Sequence, residues 1–431
     1  MDKNTLIRFI KSETTAINRT LYAHGVDAGV MPRDTLVGGR SLILYRVRRG
    51  RGVKIADVAR LVPELGEAVS ELRGKRTQVR VQTAPVALEL PHPRPAPLTI
   101  DPDHLFGLEP GIMLAGRSYG HGGAQDEVID LDHYPHTLIA GTTGAGKSVL
   151  LRTMLLSLAA GTPPSAARLV LVDLKNEDLR PLARLKLPHV VTYAGDPEAA
   201  AQAVALVHAE KERRRDTGDR PYRLILAIDE LAELATSGQT MEQLSSLLAL
   251  GRSLQINVIA ATQHPTAKML GGLARVNFSV RLCGLVIDAN TASVATGRPH
   301  TGAERLPGRG AFLRIAGPEL IRFQSYYMDP DVFGWGVRKV RARWGGVEPA
   351  GVDVASNGVE EAQPAPQEEE IPPELLDLIE EYRADDGTLR RGFMTRAVTV
   401  INGGVEPTGN AFRRARAEVN RYVDRFLPST P

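Results

Sequence analysis

A glycine-rich stretch constrains the fold of this chain more than any other feature of its sequence. Gly141 to Ser148 reads GTTGAGKS and matches the pattern G-x-x-x-x-G-K-S/T in full. In such a loop the glycines let backbone N–H groups turn inward around phosphates, the lysine reaches the β and γ oxygens, and the serine hydroxyl can ligate Mg²⁺. The apolar runs YPHTLIA and VLLRTMLLSLAA flank the loop. This context predicts strand, phosphate-binding loop and helix, and therefore a nucleotide-binding α/β domain.

The residues predicted to bind the nucleotide are the loop and the first helical positions after it. They are Gly141, Thr142, Thr143, Gly144, Ala145, Gly146, Lys147, Ser148 and Val149. Lys147 is also predicted to be catalytic, and the predicted cofactors are ATP and Mg²⁺.

Apolar runs alternate with helical patterns between about residues 105 and 330. The runs are LVLVDL (169–174), HVVTY (189–193), RLILAID (223–229), INVIAAT (256–262), FSVRLCGLVI (278–287) and AFLRI (311–315). Such alternation predicts a mainly parallel sheet covered by helices on both faces. A nucleotide would then bind at the carboxyl ends of the strands.

Two adjacent acids follow the run RLILAI. Asp229 at this strand end can hold Mg²⁺ together with Ser148, and Glu230 can orient or deprotonate a water. A helix cap is the alternative for this acid pair. Since an intact phosphate loop lies upstream, the pair predicts a hydrolase rather than a guanine-nucleotide switch.

Two further polar sites are predicted around the strand INVIAAT. Gln263 follows its end and can sense the γ-phosphate or hold the attacking water, the alternative being a polar residue in a turn. Arg252 lies just before the strand, where a helix over about 240–252 would keep it from its own nucleotide. It could instead act as an arginine finger on the nucleotide of a neighbouring subunit.

The rest of the chain is organised around this region. We expect an N-terminal helical segment at 1–40, a small α+β domain at 41–104, a motor domain at 105–335, a flexible acidic linker at 345–370 and a helical module at 371–431. The last 45 residues carry eight arginines against three acidic residues, which suits a DNA-binding winged helix. A charged helical bundle that binds no DNA is the alternative.

Composition limits the remaining options. The formal net charge is only +3, so the totals do not indicate a nucleic-acid partner. Cys283 is the sole cysteine, which excludes a disulfide framework within the chain. The apolar run after the loop is interrupted by Arg152, and a bilayer span needs ~18 apolar residues. We therefore expect a cytoplasmic chain with no membrane span of its own, recruited to the inner face of the membrane only through a partner protein.

Taken together, the motifs resemble the FtsK/SpoIIIE family of DNA translocases. The resemblance runs from about residue 41 to 316 and follows the family order. It rests on AGTTGAGKS, VDLK where the family has D-P-K, LPHVV, EKERRR, IDELAEL, ATQHP, NFSVR and GAERLPGRGAFL.

The resemblance implies a RecA-like motor domain in a homohexameric ring that encircles double-stranded DNA and hydrolyses ATP between subunits. Arg252 falls at the position of the family's trans-acting arginine, and Arg275 where the family has a basic pore-loop residue that touches phosphates. His264 replaces the arginine usual after T-Q, and Lys268 is the further candidate for DNA contact. For Lys268 a solvated surface position is the alternative. The module at 371–431 falls where the family has its sequence-reading winged helix.

Family members differ in biological setting, and four functions stay open at this point. A short member without a membrane anchor suggests DNA transfer between cells, as in conjugation. DNA pumping for chromosome segregation is a second option. FtsK-like ATPases also power protein secretion, and a nucleotide-gated DNA-binding scaffold without motor activity is a further class.

Overall fold

A computed structural model describes residues 3–38, 42–83, 86–120, 123–234, 237–269 and 277–345, together with six single positions beyond them. The chain divides into two compact units, Met1–Val359 and Glu360–Pro431. Only single positions are described in the second unit, where Arg396 Nη1 donates to Glu381 Oε1 at 3.2 Å. The predicted linker (345–370, save Gly345) and the predicted winged-helix module (371–431, save those positions) therefore lie outside the described residues.

The first part of unit one is a four-stranded antiparallel sheet packed against helices, with the strand order β1-β2-β4-β3. The segment 1–40, which we predicted to be helical, holds one helix and then a strand that joins this sheet. Apolar and polar residues do not alternate regularly along this strand, because its register against the next strand shifts between Val30 and Thr35. The elements are α1 (Lys3–Ala23), β1 (Ala28–Gly38), β2 (Leu42–Arg49), α2 (Ile55–Ala59), α3 (Val62–Arg73), β3 (Arg80–Thr83) and β4 (Val86–Pro91).

A buried polar group ties the helices of this small domain to its sheet. Arg73 of α3 donates to Glu13 of α1 at 2.6 Å, and both side chains are almost fully buried. Tyr45 of β2 donates to the other oxygen of Glu13. Because both oxygens of the Glu13 carboxylate are paired, the apolar core formed by residues such as Ile17 and Leu65 closes around this carboxylate without leaving its charge bare.

The second part of unit one is the sheet that carries the phosphate loop. Its strands are β5 (Leu98–Thr99), β6 (Ile112–Gly120), β7 (Gly123–Asp130), β8 (His136–Ala140), β9 (Ala167–Val172), β10 (Val190–Ala194), β11 (Arg223–Ile228), β12 (Ile256–Thr262), β13 (Val280–Cys283), β14 (Ala311–Ala316) and β15 (Glu319–Tyr327). Its helices are α4 (Lys147–Gly161), α5 (Arg180–Arg184), α6 (Pro197–Thr217), α7 (Leu231–Leu234), α8 (Gly238–Leu250), α9 (Ala289–Thr296) and α10 (Pro330–Trp344). Across the described ranges, no helix combines the length and the apolarity that a bilayer crossing requires.

The predicted parallel sheet is confirmed, and it has an antiparallel extension. Strands β10-β9-β11-β12-β8-β13 run parallel, whereas β14, β15, β6 and β7 continue the sheet in antiparallel pairs. The extension comes from the hairpins β6–β7 and β14–β15. In β11, Ile225 and Ala227 pack into the core on one face, and Leu224 and Leu226 into the core on the other. This alternation is what a strand covered on both faces requires.

Candidate nucleotide site

The phosphate loop joins β8 to α4 and is shaped by its glycines. Gly146 caps α4 with φ = 100°, a conformation that L side chains rarely adopt. A Cβ at this position would lie 3.0 Å from the backbone nitrogen of Gly310. The sequence therefore needs glycine there for both conformation and space, and the helix N-terminus that follows presents free N–H groups to an anion.

Neighbouring strands brace the loop from outside. Gly310 N donates to Ala145 O at 2.8 Å, and Arg309 N donates to Gly144 O at 3.1 Å, so the turn before β14 lies against the loop. On the other side, Thr142 N donates to Leu285 O at 2.7 Å. The first two bonds use carbonyl oxygens of the loop, and the N–H of Thr142 points away from the loop. The other N–H groups of the loop are left to face a phosphate.

Lys147 lies across the base of the loop. Its Nζ donates to Thr142 O at 3.2 Å, and the side chain is only 5% exposed. Burial lowers the pKa of Lys147, while the nearby carboxylates of Glu230 and Asp229 oppose that shift. The cation is therefore desolvated and aimed at the place where phosphate oxygens would bind.

The first acidic group lies beside Ser148. Ser148 Oγ donates to Asp178 Oδ2 at 2.5 Å. Asp229, which follows β11, is buried, and its pKa is raised to about 7 by burial and by the charges of Asp178 and Asp173. Carboxylates crowded in this way favour a bound cation.

Asp178 was not among the predicted site residues, because its sequence position in a loop says little about where it points. Asp173 follows β9, and its Oδ2 accepts the N–H groups of Leu179 at 2.8 Å and Arg180 at 3.1 Å. These bonds fold the loop so that Asp178 reaches Ser148. The sequence signal that could have found Asp178 is that its segment directly follows the apolar run of β9. The strands β9 and β11 are parallel neighbours, so their carboxyl ends share one edge of the sheet.

This acidic group suits Mg²⁺ bound together with a nucleotide. Within the described residues, no three or more His, Cys, Asp or Glu side chains are arranged to hold a metal by themselves. Mg²⁺ commonly takes one or two carboxylates and completes its shell with phosphate oxygens and water. The hydroxyl of Ser148 and the carboxylate of Asp229 fit that donor set.

Glu230 is held in one orientation by the end of β12. Its Oε1 accepts from Thr262 Oγ1 at 2.8 Å, its Oε2 accepts from Gln263 N at 2.9 Å, and Lys175 Nζ lies 4.0 Å from Oε2. The side chain of Gln263 turns to the loop, where its Oε1 accepts from Thr143 Oγ1 at 2.8 Å. The structure thus brings together Lys147, Ser148, Asp229, Glu230 and Gln263 at one edge of the sheet. Thr262 is the orienting residue that the sequence prediction did not assign.

Arg252 lies at the opposite edge. It is exposed in the 3₁₀ turn Gly251–Leu254 that precedes β12. From Ile256 to Thr262 the strand covers on the order of 20 Å at ~3.3 Å per residue. The guanidinium of Arg252 is therefore too far from the loop of its own subunit to touch the same phosphates.

The residues predicted to touch DNA follow β12. His264 is exposed and its backbone N–H donates to Thr262 Oγ1 at 3.2 Å, and Lys268 is also exposed. Arg275 lies outside the described residues. The structure therefore gives positions for two members of the set, and their contact with DNA stays a prediction.

Comparison with known proteins agrees with the motifs. The model of the FtsK/SpoIIIE family matches residues 120–219. DNA translocase FtsK of Chlamydia muridarum is 25% identical over 372 residues, which cover 76% of this chain and 45% of that protein. DNA translocase FtsK of Sporosarcina ureae is 25% identical over 454 residues, which cover 97% of this chain and 54% of that protein. The chain thus spans about half the length of the curated relatives that it matches.

A solved structure shares the fold. The pCW3 conjugation coupling protein TcpA, determined in a monomer form with ATPγS, superimposes with a TM-score of 0.52 at 21% identity, covering 76% of this chain and 99% of TcpA. At this identity the likeness shows the fold alone. It agrees with a RecA-like P-loop domain. Residues 120–219 form an FtsK/SpoIIIE-family domain by the match to the family model, and the chain is similar to DNA translocases of that family.

Proposed function

We propose that the chain is a magnesium-dependent ATPase that works as a homohexameric ring and uses ATP hydrolysis between subunits to translocate double-stranded DNA. The observation that carries this proposal is the division of the site. The loop and the acids lie at the carboxyl edge of the sheet, whereas Arg252 lies on the order of 20 Å away at the amino edge. A second copy of the chain is needed to bring such an arginine to the phosphates.

Within one subunit, the residues Gly141–Val149 would bind the phosphates of ATP through backbone N–H groups and Lys147. Ser148 and Asp229 would hold Mg²⁺, which when bound neutralises charge on the β and γ phosphate oxygens. Asp178 accepts from Ser148 at 2.5 Å and so fixes the rotamer of that hydroxyl.

Glu230 would accept a proton from the attacking water. A carboxylate does this well only if it is held in position. The bonds from Thr262 Oγ1 and from the N–H groups of Gln263 and Ala232 keep the plane of the Glu230 carboxylate fixed. The amide of Gln263, next to Thr143 of the loop, would then report whether a γ-phosphate is bound.

DNA as the substrate is supported by the relatives and by the basic residues after β12. The curated relatives are named DNA translocases, and in one of them the similarity covers 97% of this chain. Arg275, Lys268 and His264 would contact phosphates in the ring, which gives grip independent of base sequence. The module at 371–431, with its eight arginines near the C-terminus, would add a second DNA contact.

We propose DNA transfer between cells as the setting, because TcpA, which shares the fold, is a conjugation coupling protein. A membrane partner would then recruit the ring. A mating assay tests this setting: Lys147→Ala in the donor cell should abolish transfer of the element that encodes the chain, while a protein used in segregation would leave transfer intact.

The motor itself is tested by ATP turnover with and without long linear duplex DNA, alongside displacement of a strand bound as a triplex. We expect duplex DNA to raise turnover and the triplex strand to be displaced only when ATP is hydrolysed. Glu230→Gln protein on the same DNA is the control for displacement by binding alone. Turnover that ignores DNA and leaves the triplex in place would contradict the motor, and stimulation by a protein substrate instead would support the secretion alternative.

A further inference from the structure

The three consecutive arginines at the end of α6 have different environments. In the stretch EKERRR, the side chains of Arg213 and Arg215 are 42% and 56% exposed, whereas that of Arg214 is 0% exposed. Burying a guanidinium is costly unless its N–H groups find acceptors. The partners of Arg214 therefore indicate what it does.

Arg214 binds the turn that carries Arg252. Its Nη1 donates to Leu254 O at 2.9 Å and to Gln255 O at 3.3 Å. Its Nε donates to Glu210 Oε1 at 2.7 Å, one helical turn earlier. Its guanidinium carbon lies 4.9 Å from the centroid of the Tyr222 ring. The contacts with Glu210 and Tyr222 orient the guanidinium. The other two are made with the backbone carbonyls at the end of the 3₁₀ turn.

This turn needs such support. A 3₁₀ turn has poorer hydrogen-bond geometry than an α-helix, and its last carbonyls have no partner within it. It ends at Gln255, which has a left-handed φ of 54°. Gln255 O also accepts the backbone N–H of Leu224 at 3.0 Å, and the charged donor of Arg214 on the Leu254 and Gln255 carbonyls stabilises that geometry more strongly than a further neutral hydrogen bond would. The orientation of this 3₁₀ turn therefore decides the direction in which the side chain of Arg252 projects from the surface.

A second buried cation holds the helix that leads into the turn. Lys211, 1% exposed, donates to Ser246 Oγ of α8 at 2.5 Å. Helix α8 ends at Leu250, immediately before the turn. The segment from α8 to Gln255 is therefore attached to α6 on both sides of Arg252, at Ser246 by Lys211 and at Leu254 and Gln255 by Arg214, and the attachment made by Arg214 is the nearer to Arg252 in the chain.

We infer that Arg214 is a positioning residue for the trans-acting arginine, because it fixes the turn from which Arg252 reaches into the neighbouring subunit. This inference rests on the proposed hydrolysis between subunits. Small misplacements of a catalytic group cost large factors in rate, about 10²-fold for ~1 Å. Loss of Arg214 should thus damage the nucleotide site of the adjacent subunit while leaving the site of its own subunit intact.

Arg214→Met with Arg213→Met as its matched control separates positioning from general stability. Both variants remove one guanidinium from Glu210, since Arg213 also donates to that carboxylate, at 2.7 Å. Each leaves Glu210 with one arginine, so neither exposes a bare buried carboxylate. Only Arg214 also binds the turn. We expect ATP turnover to fall by about 10- to 100-fold in Arg214→Met and to change little in Arg213→Met. ATP affinity should stay the same in both variants.

Mixing subunits gives the readout that a structural role would not produce. Lys147→Ala subunits cannot turn over ATP, yet each keeps an intact Arg252 turn. In a large excess of them, most Arg214→Met subunits receive their arginine from a Lys147→Ala neighbour. We expect turnover per Arg214→Met subunit to rise towards the wild-type value, whereas the same excess should not raise turnover per wild-type subunit.

The outcomes separate the two levels of the proposal. If Arg252→Ala subunits are rescued by the same excess but Arg214→Met subunits are not, the inference on Arg214 is wrong and hydrolysis between subunits stands. If neither variant is rescued, the proposal of hydrolysis between subunits is itself wrong. Thermal melting and ring size of each variant show whether the subunits fold and assemble. Should Arg214→Met unfold, Arg214→Lys, which keeps the charge but cannot bind Glu210 and both carbonyls in one fork, is used in the same mixing experiment.

Discussion

The two edges of the parallel sheet carry opposite kinds of functional group. At the carboxyl edge, the side chains predicted to be catalytic are buried and held by neighbouring groups: Lys147 and Glu230 are each 5% exposed, and Thr262, Gln263 and Thr143 link the acid to the loop. At the amino edge, Arg252 is exposed on a surface turn, while the support for that turn is buried beneath it.

The difference indicates which groups act inside one subunit. A buried network is preorganised and needs no partner beyond its ligand. An exposed guanidinium on a rigid turn is suited to entering a site in another molecule. We therefore expect changes at the carboxyl edge to alter ATP binding and hydrolysis in the same subunit. Changes at the amino edge should alter the rate of hydrolysis in the neighbouring subunit.

The largest effect is expected at the carboxyl edge, from Lys147→Ala. Without this cation the β and γ oxygens lose their main charged contact in the subunit. ATP turnover should fall by at least about 10³-fold, and titration with a fluorescent ATP analogue should show weakened binding. Because burial lowers the pKa of Lys147, the cation is held at an energetic cost, and its removal should not reduce the melting temperature.

The exposed Lys11 of α1 provides the matched control for that change. Lys11→Ala also removes one lysine from the chain, from the surface of the small domain. It should leave both turnover and ATP binding unaltered. Turnover retained in Lys147→Ala would mean that the nucleotide site lies elsewhere.

The next effect belongs to the amino edge. Arg252→Ala should lower turnover by about 10³-fold, the lower end of the range for an arginine finger, with ATP affinity preserved. Phosphate release measured at saturating ATP tests the rate, and mixing with Lys147→Ala subunits should restore it. Ser253→Ala, a change at the next residue of the same turn, should have little effect. Activity in Arg252→Ala that no mixing alters would remove the amino edge from catalysis.

Sequence reasoning found the carboxyl edge because its signals are local. A glycine-rich loop, an acid pair after RLILAI and a polar pair after INVIAAT each follow an apolar strand, and parallel strands align their ends. The positions of Gly146, Asp229 and Gln263 were thus predictable without knowing the packing. The antiparallel strands β6, β7 and β15 were not predicted, because polar residues interrupt the apolar ones in β7 and β15 and the apolar run IMLA of β6 is short.

The residues that support the functional side chains at the two edges could not be predicted from the sequence in this way. EKERRR presents three equivalent arginines, and only the rotation of α6 decides that Arg214 faces inward while Arg213 does not. Asp178 reaches Ser148 only because Asp173 holds the backbone N–H groups of the two residues that follow Asp178. Both residues act through tertiary contacts between segments that the sequence does not link.

A smaller effect is expected from Glu230→Gln, which tests chemistry separately from binding. Since the N–H of Gln263 reaches both oxygens of Glu230, at 2.9 and 3.2 Å, a single amide oxygen can still accept from Gln263 and Thr262. The variant should keep the shape of the site and bind ATP normally. Loss of the proton acceptor should lower turnover by about 10²- to 10³-fold, within the range for general base catalysis.

Single-turnover measurements on Glu230→Gln should show ATP trapped on the protein. Glu233→Gln on the adjacent helix α7 is the control, since it makes the same chemical change three residues away at an exposed position. Full turnover in Glu230→Gln would assign the activation of water to another group and leave the carboxyl edge with a binding role only.

The smallest effect is expected from Thr262→Val, which removes one hydroxyl from the carboxyl edge without changing the shape of the side chain. Thr262 Oγ1 donates to Glu230 Oε1 at 2.8 Å, and a hydrogen bond to a charged group contributes about 1.5–3 kcal/mol. Part of this should be felt in the transition state, so kcat should fall by about 10-fold with ATP affinity unchanged, and Thr262→Ser should restore it. Thr137→Val in β8 makes the same exchange at a buried hydroxyl without a hydrogen-bond partner in the described ranges, and it should leave both kcat and stability intact. Equal losses of kcat in the two valine variants would mean that the orientation of Glu230 does not limit the rate.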